Sequence, residues 1–309
     1  MGREILQQSR SLRIIKQRLV KRTIDMMTDL AASNATAYNS FWKNFGKYVK
    51  VGIIEDEKVR DDLIPLCRFF SSKSEANLTS LPEYVSRMTP DQKFIYYVVG
   101  ETRAAASMSP ALEKIKEKGY EVLYVSEPID EMTLQNIEKY ADKTVADVGK
   151  EAAQELNDEE KNAKEQSNSD YEGVRTWMKN ILGERITRVE VSSRLVDSPA
   201  TLVQSEYGVS PNMQKYLRAQ AVVDADDKGE FSNIFNQAVL EINPTHPVIL
   251  HLKGIHASGE TGGKDGEAAK ELVEVIFSTA ALAAGYVLDN SAEYAKLVTK
   301  LMAKVTSDK

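Results

Sequence analysis

Residues 94–125 read FIYYVVGETRAAASMSPALEKIKEKGYEVLYV. The run FIYYVV (94–99) is β-branched and aromatic, the composition of a buried strand. Pro110–Gly119 is helical in pattern and ends on glycine, the residue best suited to a helix C-cap. EVLYV (121–125) is a second strand, and EPIDEMTLQNIEKY after it supplies a helix from about Asp130. Strand, helix, strand, helix in succession predicts a small parallel α/β layer.

Upstream of that layer the pattern is helical. Ile5, Leu12, Ile15, Leu19, Met26 and Leu30 recur at helical spacing with no Gly or Pro between them, which predicts one helix over 4–31. Tyr38–Lys50 carries Phe41, Trp42 and Phe45 on a second helix. Ser80-Leu-Pro-Glu83 fits a capping box. Residues 1–90 therefore read as a helical coil. Basic groups crowd residues 3–22, against Glu4 alone. A chain that enters such a helix directly after Met1-Gly2 is expected to be a piece of a longer protein.

Downstream, residues 150–172 hold eight acids and three lysines with almost nothing large and apolar, a solvated helix or linker. The predicted divisions are 1–150, 151–172 and 173–309. The last part offers a helix (174–182), strands over 186–195 and 201–204, and a helix from about Pro211 to Val222. Asn243-Pro244 turns into another helix. HASGETGGKDGE (256–267) reads as a loop before two closing helices, 267–284 and 291–305. The expected fold is α/β and α+β: a helical coil with a small αβα layer, then a mixed α+β domain ending in a helix pair.

The 309 residues are 42% hydrophobic and 28% charged, with a net charge of −6. These are the proportions of a globular protein, with no global attraction to nucleic acid. Val275–Leu288, the longest apolar run, falls short of the roughly 20 residues a membrane-spanning helix needs. Cys67 is the one cysteine, so no internal disulfide forms and a reducing or organellar interior is expected.

Few constellations suggest chemistry. Arg3, Gln7 and Arg10 share one helix face and present donors suited to an anion; a plain solvated basic face has the same spacing. GETGGKD (259–265) fails as a phosphate loop, because Ser258 and Asp265 stand where glycine and a hydroxyl residue are required. His246, His251 and His256 are spaced by five, about 140° apart on a helix, so no metal site is expected. Tyr207, Val209, Met213, Tyr216 and Leu217 belong to a loop and amphipathic helix that could be core or a partner surface. The run 275–288 is apolar nearly all round. Two copies of the closing helix pair would bury it as a four-helix dimer.

Nine segments in order carry a further signal. They are REILQQSR (3–10), FWKNFGKYVKVGIIED (41–56), PLCRFFSSK (65–73), LTSLPEYVSRM (78–88), IYYVVG (95–100), YEVLYVSEPIDE (120–131), SSRLVDSPATLV (192–203), YGVSPNMQKYLRAQA (207–221) and LEINPTHPVI (240–249). Together they resemble the later middle domain and the C-terminal domain of the heat-shock protein 90 chaperones, over essentially the whole chain. The resemblance implies a dimeric, ATP-driven chaperone that binds client proteins. ATP and Mg²⁺ would belong to the full-length protein and to no site in this part, which would then lack ATPase activity by itself.

Residue by residue, Arg3 and Gln7 match the family's γ-phosphate contacts. Tyr207, Val209, Met213 and Leu217 match its client-contacting element, although Val209 replaces the tryptophan many members carry there. Leu272, Ile276, Ala280, Ala283, Tyr294, Leu297, Val298 and Leu301 match its dimer interface. The end KLMAKVTSDK has neither an acidic Met-Glu-Glu-Val-Asp tail nor an endoplasmic-reticulum signal. That argues against tetratricopeptide co-chaperones and, with PLCRFFSSK and EPIDEMTLQNI, favours a mitochondrial or plastid member. A cytoplasmic or endoplasmic-reticulum protein trimmed at this end is the alternative location. Neither nucleic acid nor membrane is an expected partner. A catalytically silent dimerisation scaffold is the alternative function.

Overall fold

A computed structural model describes residues 10–154, 158–205, 208–220, 238–260, 263–288 and 290–307. The described residues begin with α1 (Arg10–Ser33) and α2 (Ala35–Glu55), broken apart at Asn34. That residue leaves helical geometry and its side chain accepts from the Ala37 N–H at 3.0 Å, capping α2. After α3 (Glu57–Leu63) come a tight hairpin, β1 (Phe69–Ser71) and β2 (Ser74–Thr79), and α4 (Leu81–Ser86). The Ser80–Glu83 capping box forms: the Ser80 hydroxyl accepts from the Glu83 N–H, and the Glu83 carboxylate accepts from the Ser80 N–H at 2.7 Å.

The central layer follows. β3 (Phe94–Val99) leads through α5 (Arg103–Ser107) and α6 (Glu113–Glu117) to β4 (Val122–Val125). Then come α7 (Pro128–Ile137), β5 (Lys139–Tyr140) and β6 (Lys143–Asp147). Among the described residues the sheet has six strands in the order β2-β1-β4-β3-β6-β5. β3 pairs in parallel with both β4 and β6, and β1 joins β4 antiparallel. Gly119 stands at φ +70°, where a side chain would be strained, and turns the chain from α6 towards β4.

Both faces of this sheet are covered. Ile95, Tyr97, Leu123 and Val125 join the core with Tyr38, Trp42, Leu66, Cys67 and Leu134. Tyr96, Val98, Val122 and Tyr124 face a second core with Ala106, Leu112 and Ile115. Double coverage is why these strands read as unbroken apolar runs. The expectation of a helical coil throughout 1–90 needs one correction. Residues 69–79 pair as a hairpin and extend the sheet, because Phe70 and Ser71 find ladder partners in Tyr124 and Leu123.

The acidic stretch forms a solvated helix, α8 (Asp158–Asp170), followed by α9 (Glu172–Leu182) and β7 (Arg188–Val191). β8 (Ala200–Gln204), α10 (Pro211–Gln220), β9 (Ala238–Ile242), α11 (Pro247–Ala257), α12 (Gly263–Ala283) and α13 (Ser291–Ser307) complete the described chain. Among the described residues β9 is central in a three-stranded sheet, parallel to β7 and antiparallel to β8. It lay outside the expected strands. The expected loop 256–267 is also shorter: α11 runs through Ala257 and α12 has begun by Gly263. Its four glycines gave a loop composition to a stretch that includes the first turn of a helix.

Candidate functional site

The two sheets meet at a polar junction that positions α10. Ser210 and Pro211 set where that helix begins. The Ser210 hydroxyl accepts from the Met213 N–H at 3.1 Å as an N-cap, and Pro211 sits in the first turn with its φ already suited to a helix. The same hydroxyl donates to Glu131 Oε2 of α7 at 2.5 Å. Asn212 Nδ2 donates to the Ser126 carbonyl at 2.9 Å, and Lys215 pairs with Glu101 at 2.9 Å. Three side chains thus hold α10 against the end of the six-stranded layer.

This docking leaves several apolar side chains on view. Met213, Leu217 and Val209 are half-buried, and Tyr216 is 45% exposed. The layer contributes Met132, 42% exposed and next to Glu131, and Met108, 80% exposed beyond α5. Methionine adapts its shape to varied apolar partners. Met108 and Met132 were not singled out from sequence, since nothing in their spacing shows which side of the layer faces α10. Tyr207 lies outside the described residues, as do Arg3 and Gln7.

Beneath the surface the junction is fastened by buried charge. Arg194 and Glu241 are both buried and pair at 3.0 Å. The guanidinium also donates to the Val148 carbonyl at 2.5 Å and the Lys150 carbonyl at 3.2 Å. Glu241 accepts from Ser192 Oγ at 2.7 Å and Gln154 Nε2 at 3.0 Å. A pair so completely bonded offsets its own desolvation. Backbone pairing adds to it: Gln204 N–H donates to the Gly149 carbonyl, and Glu151 N–H to that of Gln204.

The Glu113 carboxylate, at the start of α6, accepts from the Val196 N–H at 2.6 Å, the Asp197 N–H at 2.9 Å and the Ser198 N–H at 3.2 Å. Ser198 Oγ donates to it at 2.5 Å. Burial opposes its charge, but these four donors prevail and hold the carboxyl below the ordinary range. Glu131 and Asp147 go the other way. Burial pushes Glu131 up to about 7 and Asp147 up to about 6.

The expected dimer residues divide in two. Ile276 and Ala280 are buried in the chain's own core with Met178, Leu202 and Leu240. Leu272, Tyr294, Leu297, Val298 and Leu301 are half-buried, and Ala283 is exposed. Leu282, Val287 and Met302 are exposed by 47%, 58% and 65%. α13 rests on α12, with Lys300 and Glu271 ion-paired between them. Of the histidines, His246 caps α11 by accepting from the Val248 N–H, and His256 packs on Trp177. Among the described residues no helix is long and apolar enough to cross a membrane.

The family model described as Hsp90 protein matches residues 1–308. The chain belongs to the Hsp90 family. It is 38% identical over 304 residues to the chloroplastic heat shock protein 90-5 of Arabidopsis thaliana, covering 98% of this chain and 38% of that protein. It is 37% identical over 310 residues to the mitochondrial heat shock protein 90-6 of the same plant, covering all of this chain and 38% of that one. The endoplasmin homolog of that plant is 34% identical over 316 residues, 96% of this chain and 37% of that protein. The chain thus spans under two-fifths of the length of these Hsp90 relatives. The helical coil, the αβα layer and the mixed sheet with its terminal helix pair are the fold expected of a middle and C-terminal region of Hsp90.

Proposed function

We propose that this chain is the client-contacting and dimerising part of an ATP-driven Hsp90 chaperone. The observation that carries the reading is the apolar surface at the junction. Met213, Tyr216 and Leu217 lie on α10, which Ser210 and Asn212 fasten to Glu131 and Ser126, and Met132, the neighbour of Glu131 in the chain, is exposed as well. Adaptable apolar groups rimmed by the Lys215–Glu101 pair suit a partly unfolded protein better than a ligand of fixed shape. Dimerisation through α12 and α13 is supported by the exposed Leu282, Val287 and Met302. Nucleotide and Mg²⁺ belong to other parts of the full-length protein, with Arg3 and Gln7 reaching the γ-phosphate. The chloroplastic and mitochondrial relatives favour an organellar location. The domain division 1–150, 151–172 and 173–309 is retained in this reading, α8 being the solvated connector.

The test is suppression of client aggregation. Met213→Ser with Tyr216→Ser should weaken protection of an aggregating enzyme several-fold while circular dichroism stays unchanged. Full protection by that variant would remove α10 from the client surface. A wild-type chain that dimerises and protects nothing would favour the silent scaffold.

A further inference from the structure

Glu113 is the first residue of α6, and the four donors to its carboxylate belong to the loop between β7 and β8. Oε2 accepts from the Val196 N–H at 2.6 Å and the Asp197 N–H at 2.9 Å. Oε1 accepts from the Ser198 N–H at 3.2 Å and from Ser198 Oγ at 2.5 Å. Consecutive backbone N–H groups that converge on one anion form a nest, a concavity with a fixed partial positive charge.

This nest is built without α6. Asn243, 2% exposed just after β9, donates from Nδ2 to the Val196 carbonyl at 3.0 Å and to the Ser198 carbonyl at 3.2 Å. Its own N–H donates to the Pro199 carbonyl at 2.9 Å. Thr245 fixes that amide in turn: its N–H and its hydroxyl donate to Asn243 Oδ1 at 3.0 Å and 2.8 Å. A peptide is planar, so the bond that holds the Val196 carbonyl also aims the Asp197 N–H the opposite way, into the nest. Pro199 follows with its φ fixed by the ring. Val196 and Asp197 are exposed, and the nest therefore lies within reach of solvent.

We propose that residues 196–198 form an oxyanion-binding site for a phosphate-class anion, and that Glu113 is its tethered resident ligand, latching α6 of the six-stranded layer to the loop until a free anion takes its place. The inference does not depend on the client reading.

The donor set carries it. Three N–H groups and a hydroxyl match phosphate oxygens as well as they match a carboxylate. The attraction comes from backbone dipoles and Ser198, since the three loop residues bring no basic side chain and Lys114, next to Glu113, is paired with Glu117 at 2.7 Å. Asp197 adds a like charge to the loop, so a free anion is held weakly and enters as the tethered one leaves. Inner fastening is separate from this latch. Release of Glu113 leaves Arg194 paired with Glu241 and bonded to the Val148 and Lys150 carbonyls. It frees the start of α6, which the Lys114 N–H still ties to the Arg194 carbonyl at 3.1 Å. An anion that binds only the vacated nest shifts α6 towards its released position.

The experiment uses the full 309-residue chain and inorganic phosphate, against chloride at matched ionic strength. Glu113→Ala removes the tethered ligand. The Val196, Asp197 and Ser198 amide resonances of that variant should shift saturably with phosphate, and phosphate should raise its melting temperature. For the same shifts the wild type should need at least about tenfold more phosphate, because a tethered group competes at a high effective concentration. Adding Ser198→Ala to Glu113→Ala removes one donor and should weaken phosphate binding several-fold. Amide exchange across α6 should quicken in Glu113→Ala. If Glu113→Ala does not fold, Glu113→Gln keeps the side chain's shape without its charge and should take up phosphate more readily than the wild type. Absence of saturable shifts at residues 196–198 in the folded variant, an affinity equal to that of the wild type, or one indifferent to Ser198→Ala overturns the site. Unchanged exchange protection of α6 overturns the latch.

Discussion

The six-stranded layer and the terminal helix pair dispose of apolar residues in opposite ways. In the layer, alternate residues of β3 and β4 are covered on both sides, and Ile95, Leu112 and Leu123 have no exposure at all. In the pair, α12 buries Val273, Ile276 and Ala280 against its own sheet, while Leu282 and Met302 face outward. A sheet between two helical layers is finished within one chain. A helix that rests on a single neighbour is not, and its outer face needs a second body. The first two helices show the same contrast: Leu12, Ile15 and Leu19 of α1 and Phe45 of α2 line an open apolar groove, while Ile24 and Trp42 are buried.

Substitutions can break this comparison. Leu123→Ala, in the finished layer, should lower unfolding free energy by about 2–5 kcal/mol, the cost of an emptied core position. Chemical denaturation would measure it, and a loss under about 1 kcal/mol would mean the layer is loosely packed. Leu282→Glu, in the unfinished pair, should barely change the unfolding midpoint of the layer. It should weaken self-association about 100-fold, some 2.7 kcal/mol, read by sedimentation equilibrium. A wild-type chain that is monomeric at tens of micromolar (about 6 kcal/mol of association energy at most) would end the dimer reading. Ala280→Glu sharpens the contrast further. Ala280 is 2% exposed inside the chain's own core, so that variant should unfold the C-terminal sheet rather than merely separate subunits. The smallest effect is expected at Ser80→Ala, which removes one half of the capping box and should cost about 1 kcal/mol. Thermal melting would detect it, and no change would show that the Glu83 bond to the Ser80 N–H suffices.

Much of the fold was legible in the chain. FIYYVV and EVLYV announced their strands because burial on both sides removes any polar alternation. Ser80 and Glu83 announced a helix start because the capping box is a local arrangement. The hairpin at 69–79 was not legible. RFFSSKSEANLT carries few apolar residues and is a strand only because β4 offers it a free edge. β9 was missed as well, its AVLEI being too short to separate from a helical fragment by periodicity.

The candidate site was less legible still. Met213 and Leu217 could be placed on one amphipathic helix from their spacing, but the exposed methionines of the layer could not be foreseen. Met132 is 81 residues and Met108 is 105 residues away from Met213 along the chain.

By itself, then, the sequence determined what is local or periodic: the strand runs, the caps, the solvated acidic helix, the apolar terminal pair and, through its ordered motifs, the family. Only the tertiary structure decided which carboxylates are fixed as charges and which are not. Glu113 and Glu131 are the same residue type at the starts of two short helices. One meets three backbone N–H groups from a loop 83 to 85 residues away, and the other is buried with only the Ser210 hydroxyl, 79 residues away, and the Gln135 amide as donors. Ionisation depends on the donors and the dielectric around a group, and these are assembled by long-range packing.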